Sequence, residues 1–319
     1  MLSYCHITLK CLRAGYKETS LSKKDTFRKS GTAGEDIIRD IAESTETYTD
    51  PDGRKHPVIN LKTVTSISRS QRIAVRDIEI AALKQGTTPW HYLRNIGTIG
   101  IDGQIKLLQS TVAVVGAGGL GGTITELLAR QGIGHIIIID NDRFTEQNLN
   151  RQLLSTEKNL GKYKATVAAK RVKDINSAVT VTTFLKRLTE KNARRLLNGA
   201  NVVADGLDNL PSRFAVEKAC RNLGIPYVYG TIAGFIGQLM TVFPGDTGLS
   251  SIYGHSDDLP EQGIEVKIGN PSATPAIIAA WQVQEIVKII TGIGKPLRNH
   301  LLILDAMEGT ADKIKLGKY

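Results

Sequence analysis

Cysteine is scarce in this 319-residue chain: Cys5, Cys11 and Cys220 are all there is, and no two form a CxxC pair. That excludes a disulfide framework and a four-cysteine zinc site, and it fits a reducing compartment, so a cytoplasmic protein is expected. Long apolar runs are also missing. The longest candidate, Ile136–Ile139, ends at Asp140, far short of the ~20 residues that span a bilayer, so no membrane partner is expected. A nucleic-acid pattern is lacking too, although the net charge is +10. Residues 1–30 hold seven Lys/Arg against two Asp/Glu, half of the excess, and read as a solvated basic tail rather than a nucleic-acid arm.

What the chain does have is a 41% hydrophobic content, enough for a sizeable core, and one dominant stretch, Val112–Asp140 (VAVVGAGGLGGTITELLARQGIGHIIIID). It predicts a buried strand, a glycine turn, an amphipathic helix and a second strand ending in an acid. Gly116, Gly118 and Gly121 form GxGxxG, with Gly119 between them, where a tight turn brings backbone close to phosphates at a helix N-terminus. Asp140 follows about 20 residues on, where a carboxylate can accept from ribose hydroxyls. A glycine-rich turn can also serve packing alone, so the residues that follow decide.

Beyond the second strand come Asn148, Arg151 and Gln152, then Lys164 at the start of the next helix. At the carboxyl ends of parallel strands these groups lie over the crevice of the glycine turn. A pyrophosphate needs little more than the helix N-terminus, whereas a triphosphate calls for Arg, Lys and Mg²⁺; the cation pair therefore favours ATP over NAD. Asn201–Asn209 predicts a further strand that ends in two acids beyond it, and the second, Asp208, has two readings. It either caps the helix begun at Pro211 or holds Mg²⁺ at the phosphates, and the nearby cations favour the metal. Cys220 has core spacing.

Elsewhere the signals are weaker. Ile37, Ile38 and Ile41 could line a helical turn, and Asp50-Pro51-Asp52-Gly53 predicts a turn between two strands. Residues 68–85 carry helical spacing closed by Gly86. Residues 226–245 predict two strands, 245–270 a polar loop whose His255, Asp257, Asp258 and Glu261 match no metal signature, and Thr274–Gly292 a helix. A strand at Leu301–Leu304 and a basic tail end the chain. The expected fold is α/β, a Rossmann-like doubly wound, mostly parallel sheet with helices on both faces and extra antiparallel strands in the C-terminal half. The expected division is an N-terminal extension over 1–65 and a nucleotide-binding domain over 66–319. Within that domain a helical lead-in covers 66–110, the core 111–230, and strands, a crossover loop and a helix 231–319.

From about Tyr92 to Gly292 the chain resembles the ThiF/MoeB/HesA family, the bacterial relatives of ubiquitin-activating enzymes. The family's RYxRQ is matched by His91–Asn95, its glycine turn by Gly116–Gly121, and its D…NLxRQ by Asp140 with Asn148–Gln152. Its G(R/K)xK is matched by Gly161–Lys164 and its D-x-x-D-N by Asp205–Asn209. The resemblance implies an adenylyltransferase. Asp140 would bind ribose, with Gly116, Gly118, Gly119, Gly121, Asn148, Arg151, Gln152 and Lys164 around ATP and Asp208 holding Mg²⁺. It also implies a homodimer in which Arg94 reaches the neighbour's triphosphate. The implied substrate is the C-terminal glycine of a small ubiquitin-like sulfur-carrier protein, activated as an acyl-adenylate with loss of pyrophosphate. Departures are instructive. Gly248–Ile252 stands where relatives carry a zinc-binding cysteine pair, and the following loop has no cysteine, so neither zinc nor a covalent enzyme intermediate is expected. An NAD oxidoreductase, a tRNA-directed relative and a non-catalytic scaffold subunit are the competing readings; Arg151 and Lys164, with no hydride-handling His or Lys constellation, disfavour the first, and the presence of Arg94, Arg151, Lys164 and Asp208 disfavours the last.

Overall fold

The computed structural model describes residues 33–254 and 265–317. The basic tail of 1–30 and His255, Asp257, Asp258 and Glu261 lie outside the described residues. From Ile37 onward the chain belongs to one compact unit, and among the described residues no helix is long and apolar enough to cross a membrane.

The segment before the glycine turn is more ordered than its sequence signals suggest. Helix α1 (Ala33–Glu43) turns Ile37 and Ile41 into a small core with Val64, Ile67 and Ile78, while Ile38 faces solvent. Strands β1 (Glu46–Thr49) and β2 (Lys55–Ile59) pair antiparallel around the expected Asp50–Gly53 turn. There the Asp50 carboxylate accepts from the Asp52 and Arg54 N–H groups at 3.0 and 2.8 Å. The single helix expected over 68–85 is two, α2 (Leu61–Gln71) and α3 (Val75–Lys84). Arg72 takes left-handed backbone (φ 54°) and the Ser68 hydroxyl donates to the Ile73 carbonyl at 2.6 Å, so local capping overrides the apolar period. A two-residue strand β3 (Thr88–Pro89) then pairs with β2, and α4 (Leu93–Gln109) leads into the main sheet, bent where Gly100 leaves helical geometry.

The main sheet grows from strands too apolar to tolerate an exposed face. In chain order its parallel part is β4 (Thr111–Val115), α5 (Gly119–Gln131), β5 (His135–Ile139), α6 (Lys164–Ile175) and β6 (Thr180–Phe184). The chain then crosses back through α7 (Glu190–Leu196) to β7 (Val202–Asp205), α8 (Leu210–Leu223) and β8 (Tyr227–Ala233). Strand β9 (Ile236–Val242) begins the antiparallel part. Short helices α9 (Ser250–Tyr253) and α10 (Glu265–Ile268) and the long α11 (Ala273–Thr291) precede β10 (His300–Asp305) and β11 (Thr310–Lys315). The sheet order is β11-β10-β9-β8-β7-β4-β5-β6, parallel from β8 to β6 and antiparallel beyond β8. The doubly wound α/β fold with antiparallel additions is therefore observed. Val112, Val114, Ile136 and Ile138 meet α5, α6 and α11 on one face; Ala113, Val115, Ile137 and Ile139 meet α7 and α8 on the other. Each strand alternates sides, and both sides are covered.

Two expectations shift. The basic tail after Leu304 is the edge strand β11, exposed throughout and paired to β10 from Thr310↔Asp305 to Lys315↔His300. Helix α8 starts at Leu210, with Pro211 in its first turn and Asn209 as its cap. The loop 243–254, where the resemblance places a cysteine pair, is held by charge. Leu249 N–H donates to the Glu217 carboxylate at 2.8 Å, Arg221 binds both Glu217 and the Thr247 carbonyl, and Arg298 binds Asp246.

The strands β4 and β7 approach so closely beyond their ends that side chains are excluded. A Cβ on Gly206 would lie 2.5 Å from the Gly116 carbonyl oxygen, and within the glycine turn itself one on Gly121 would lie 1.7 Å from the same atom. Gly121→Ala is expected to destabilise the chain by about 1–3 kcal/mol or more through backbone displacement. The midpoint of urea unfolding reads the effect, and an unchanged midpoint would show that the glycine turn can widen.

Candidate active site

The order of strands reverses between β4 and β7, and the crevice at such a switch point is where open α/β sheets take ligands. A cavity of about 350 Å³ opens there. Its walls are the turns that follow β4, β5, β6 and β7, together with Thr231 and Ile232 near the end of β8.

The glycine turn supplies the floor. Gly116 has φ 91° and its N–H donates to the Ile139 carbonyl at 2.9 Å. Helix α5 begins after Gly118 with no side-chain cap, which leaves its first-turn N–H groups and the positive end of its dipole for an anion. Asp140 braces this turn: one carboxylate oxygen accepts from Ala117 N–H at 2.6 Å and the other from Asp142 N–H at 2.7 Å. Burial raises the Asp140 carboxyl above its ordinary value, opposed by those two N–H groups. Each oxygen keeps a further lone pair for a donor in the cavity.

Charge gathers along one wall. Lys164 is buried at 8% exposure and its Nζ lies 3.1 Å from the exposed Asp142 carboxylate. Arg151 uses one Nη to bind the Gln147 carbonyl and the Asn150 amide oxygen, both at 3.0 Å. Gln152 packs beside Gly118, and its amide oxygen is buried without a hydrogen bond. Asn148 has a local duty: its amide oxygen caps the turn at 145–148 by accepting from Thr145 N–H at 3.0 Å. It lines an adjoining cavity shared with Arg151, Gln152, Lys164 and Asp208.

Asp208 faces this wall from across the crevice. Because Asn209 caps α8, accepting from Ser212 N–H at 2.9 Å, the capping reading of Asp208 is excluded. The Asp208 carboxylate is exposed and, among the described residues, accepts only from the Asn209 side-chain amide at 3.1 Å. Its turn is pinned from beneath. Leu207 N–H donates to Asp205 at 2.9 Å, and Arg213 donates to the Leu207 carbonyl at 2.6 Å and to the Thr231 hydroxyl at 3.0 Å. Asp205 is fully buried with its Oδ2 3.1 Å from Arg213 Nε, a meeting of charges without hydrogen-bond alignment. Burial pushes the Asp205 carboxyl up, and the guanidinium opposes that.

Of the eleven residues singled out from sequence, eight line the one cavity: Gly116, Gly118, Gly119, Asp140, Arg151, Gln152, Lys164 and Asp208. Gly121 lies under the turn as a packing residue, Asn148 lines the neighbouring cavity, and Arg94 lines neither. Arg94 is exposed at the start of α4 and makes no hydrogen bond or ion pair among the described residues. Sequence reasoning missed Lys186, Arg187, Arg213 and Asn270, all in the cavity wall. Two adjacent cations straight after β6 were a readable signal, as was an arginine in the first turn of α8, where the helix dipole disfavours a cation. Val115, Ile139, Leu188 and Val216 make the other end of the cavity apolar, suited to a flat base.

The ThiF family model matches residues 92–319. This chain belongs to the ThiF family. It is 34% identical over 237 residues to a sulfur carrier protein adenylyltransferase of Thermus thermophilus, which is 72% of this chain and 88% of that protein. The SAMP-activating enzyme E1 of Haloferax volcanii is 33% identical over 219 residues, covering 68% of this chain and 80% of the relative. Among solved structures, E. coli MccB crystallised with MccA-N7isoASN has a TM-score of 0.63 at 21% identity, covering 92% of this chain and 90% of that one. That likeness concerns the fold alone, and it extends beyond the segment matched by the family model. As a ThiF-family member the chain is an ATP-dependent adenylyltransferase.

The two acids beside β7 are expected to separate in mutants. Arg213→Ala leaves Asp205 buried without its counter-charge and should cost about 3–5 kcal/mol of stability. Asp208→Ala, on an exposed carboxylate, should stay within about 0.5 kcal/mol. Denaturant titration of both variants checks this; a large loss in Asp208→Ala would make that residue structural.

Proposed function

We propose that this enzyme adenylates the C-terminal glycine carboxylate of a small ubiquitin-like sulfur-carrier protein. The observation that carries the reading is the convergence of Arg151, Lys164 and an uncommitted Asp208 on one cavity floored by the glycine turn. The two relatives named above support the carrier as substrate.

In this reading the apolar end takes the base, Asp140 accepts from the ribose hydroxyls, and the N-terminus of α5 with Arg151, Gln152 and Lys164 holds the phosphates. Asp208 fits a hard divalent cation: it is a carboxylate in the cavity wall, free of helix capping and of ion pairs among the described residues. Mg²⁺ held there would neutralise phosphate charge. The carrier's carboxylate attacks the α-phosphorus, the bond to the bridging oxygen of the β-phosphate breaks, and pyrophosphate leaves. The carboxylate is already a nucleophile, so the protein contributes alignment and charge, and no general base is needed. Arg94 is exposed and lines neither cavity, which suits a homodimer in which it serves the neighbour's triphosphate. Cys220 is fully buried, and burial pushes its thiol well above the usual range. A thioester on this residue is therefore disfavoured, and the acyl-adenylate itself is the product handed on. Residues 1–65 and 66–319 are proposed as accessory and catalytic parts, the first helping to position the carrier.

ATP–pyrophosphate exchange tests the reading, run with Mg²⁺ and a panel of carriers ending in Gly-Gly from the same organism. Exchange should require one carrier. Arg151→Ala, Lys164→Ala and Asp208→Ala should each lower it about 10²–10³-fold, as when a preorganised charge is removed. Cys220→Ser should retain it, and a folded but inactive Cys220→Ser would overturn the cysteine-independent route. Exchange that responds to tRNA instead would transfer the reading to RNA activation, and absence of ATP binding would leave a scaffold.

A further inference from the structure

The turn that carries Arg94 is tied down by a residue from outside the family-matched segment. Glu79, on α3, is fully buried, and neither of its carboxylate oxygens makes an aligned hydrogen bond. A buried carboxylate in that state is expensive unless a polar partner sits beside it. The Nε2 of His91 lies 3.2 Å from its Oε1, and His91 is a third exposed while Glu79 is not exposed at all. His91 belongs to the single turn Trp90–Tyr92 that opens onto α4, and Arg94 follows three residues later.

Every residue of that turn is held. Trp90 stacks edge-on against Tyr48 of β1 with ring centroids 4.9 Å apart. Tyr92 is fully buried, accepts from the Asn176 side-chain amide at 2.8 Å and packs where a side chain on Gly132 would collide with it. Burial, with the Glu79 carboxylate beside it, raises the Tyr92 phenol well above its usual range. On the far side, Asn95 donates to the buried Gln104 at 2.9 Å. Arg94 alone between these anchors is exposed and unpaired among the described residues. With the base fixed, only the side chain of this exposed arginine has to be ordered on binding.

We infer that Glu79 is a positioning residue for Arg94, acting through His91. The inference rests on the reading that Arg94 contacts a neighbouring subunit's triphosphate. It gives α3, which precedes residue 92, a part in the adenylation site. In the family pattern the first position of this motif is arginine; here the shorter His91 is served by a carboxylate placed within its reach.

The test uses the full-length chain and calorimetric titration with two probes, the α,β-methylene analogue of ATP and AMP, which lacks the outer phosphates. Glu79→Gln and His91→Ala should each weaken the triphosphate analogue about tenfold, the contribution of one charge-assisted hydrogen bond, and leave AMP unchanged. His91→Arg should bind as the wild type does. The double variants with Arg94→Ala should be no weaker than Arg94→Ala itself, because a positioning residue has nothing left to position. Should Glu79→Gln fail to fold, His91→Ala, on a partly exposed side chain, carries the test. Equal losses for AMP and the triphosphate analogue, or losses that multiply with Arg94→Ala, would overturn the inference while leaving the role of Arg94 intact. An Arg94→Ala variant that binds both probes normally would overturn the reading of Arg94 and this inference with it.

Discussion

The close contact between the turns after β4 and β7 is the constraint on which the site depends. Gly116, Gly121 and Gly206 meet backbone to backbone, and no side chain fits between them. That contact sets the entry angle of α5, whose free N–H groups form the anion end of the cavity, and fixes the height of the Asp205–Asp208 turn opposite it. Asp140 then locks the first turn by binding Ala117 N–H. The cavity is therefore built from backbone before any charged side chain enters it, which is the condition for donors that need no rearrangement when charge develops.

Legibility from sequence followed the range of the interaction. The doubly wound sheet was readable because its strands are apolar on both faces, a local pattern that only burial on both sides explains. Eight of the cavity residues were readable because each ends or follows a strand at the same sheet edge. What escaped depends on distant partners. Arg213 matters because Asp205 lies beneath it and Thr231 beside it, and nothing within its own helix announces either. Glu79 looks like one more charge on an amphipathic helix until His91 is found against it. The helix expected over 68–85 failed for the opposite reason: its apolar period continues through Arg72, but a left-handed residue and the Ser68 hydroxyl cap the first helix locally.

Asp208 illustrates how a structural and a functional reading part. Helix capping and metal holding both suit a carboxylate after a strand, and sequence spacing allows both. In the fold the cap is Asn209, one residue on, whose amide oxygen reaches Ser212 N–H while the Asp208 carboxylate stays in the cavity wall. The register of one residue frees the acid. The same logic separates Asn148 from its neighbours: its amide oxygen is spent on the 145–148 turn, so it shapes the loop that presents Arg151 and Gln152.

Asp205 and Glu79 are two of the wholly buried carboxylates among the described residues, one facing Arg213 and the other His91, and each lies beneath a turn that presents a functional candidate to solvent. Burying such pairs gains little stability, because desolvation cancels most of the attraction. An apolar pair of the same volume would pack as well, yet it would leave the turn above free to settle at several heights. A carboxylate that must face its one polar partner admits a single arrangement. Their placement, under Asp208 in one case and before Arg94 in the other, is what selection for geometry rather than for stability would produce. It links the family-matched domain and the segment before it through the same physical device.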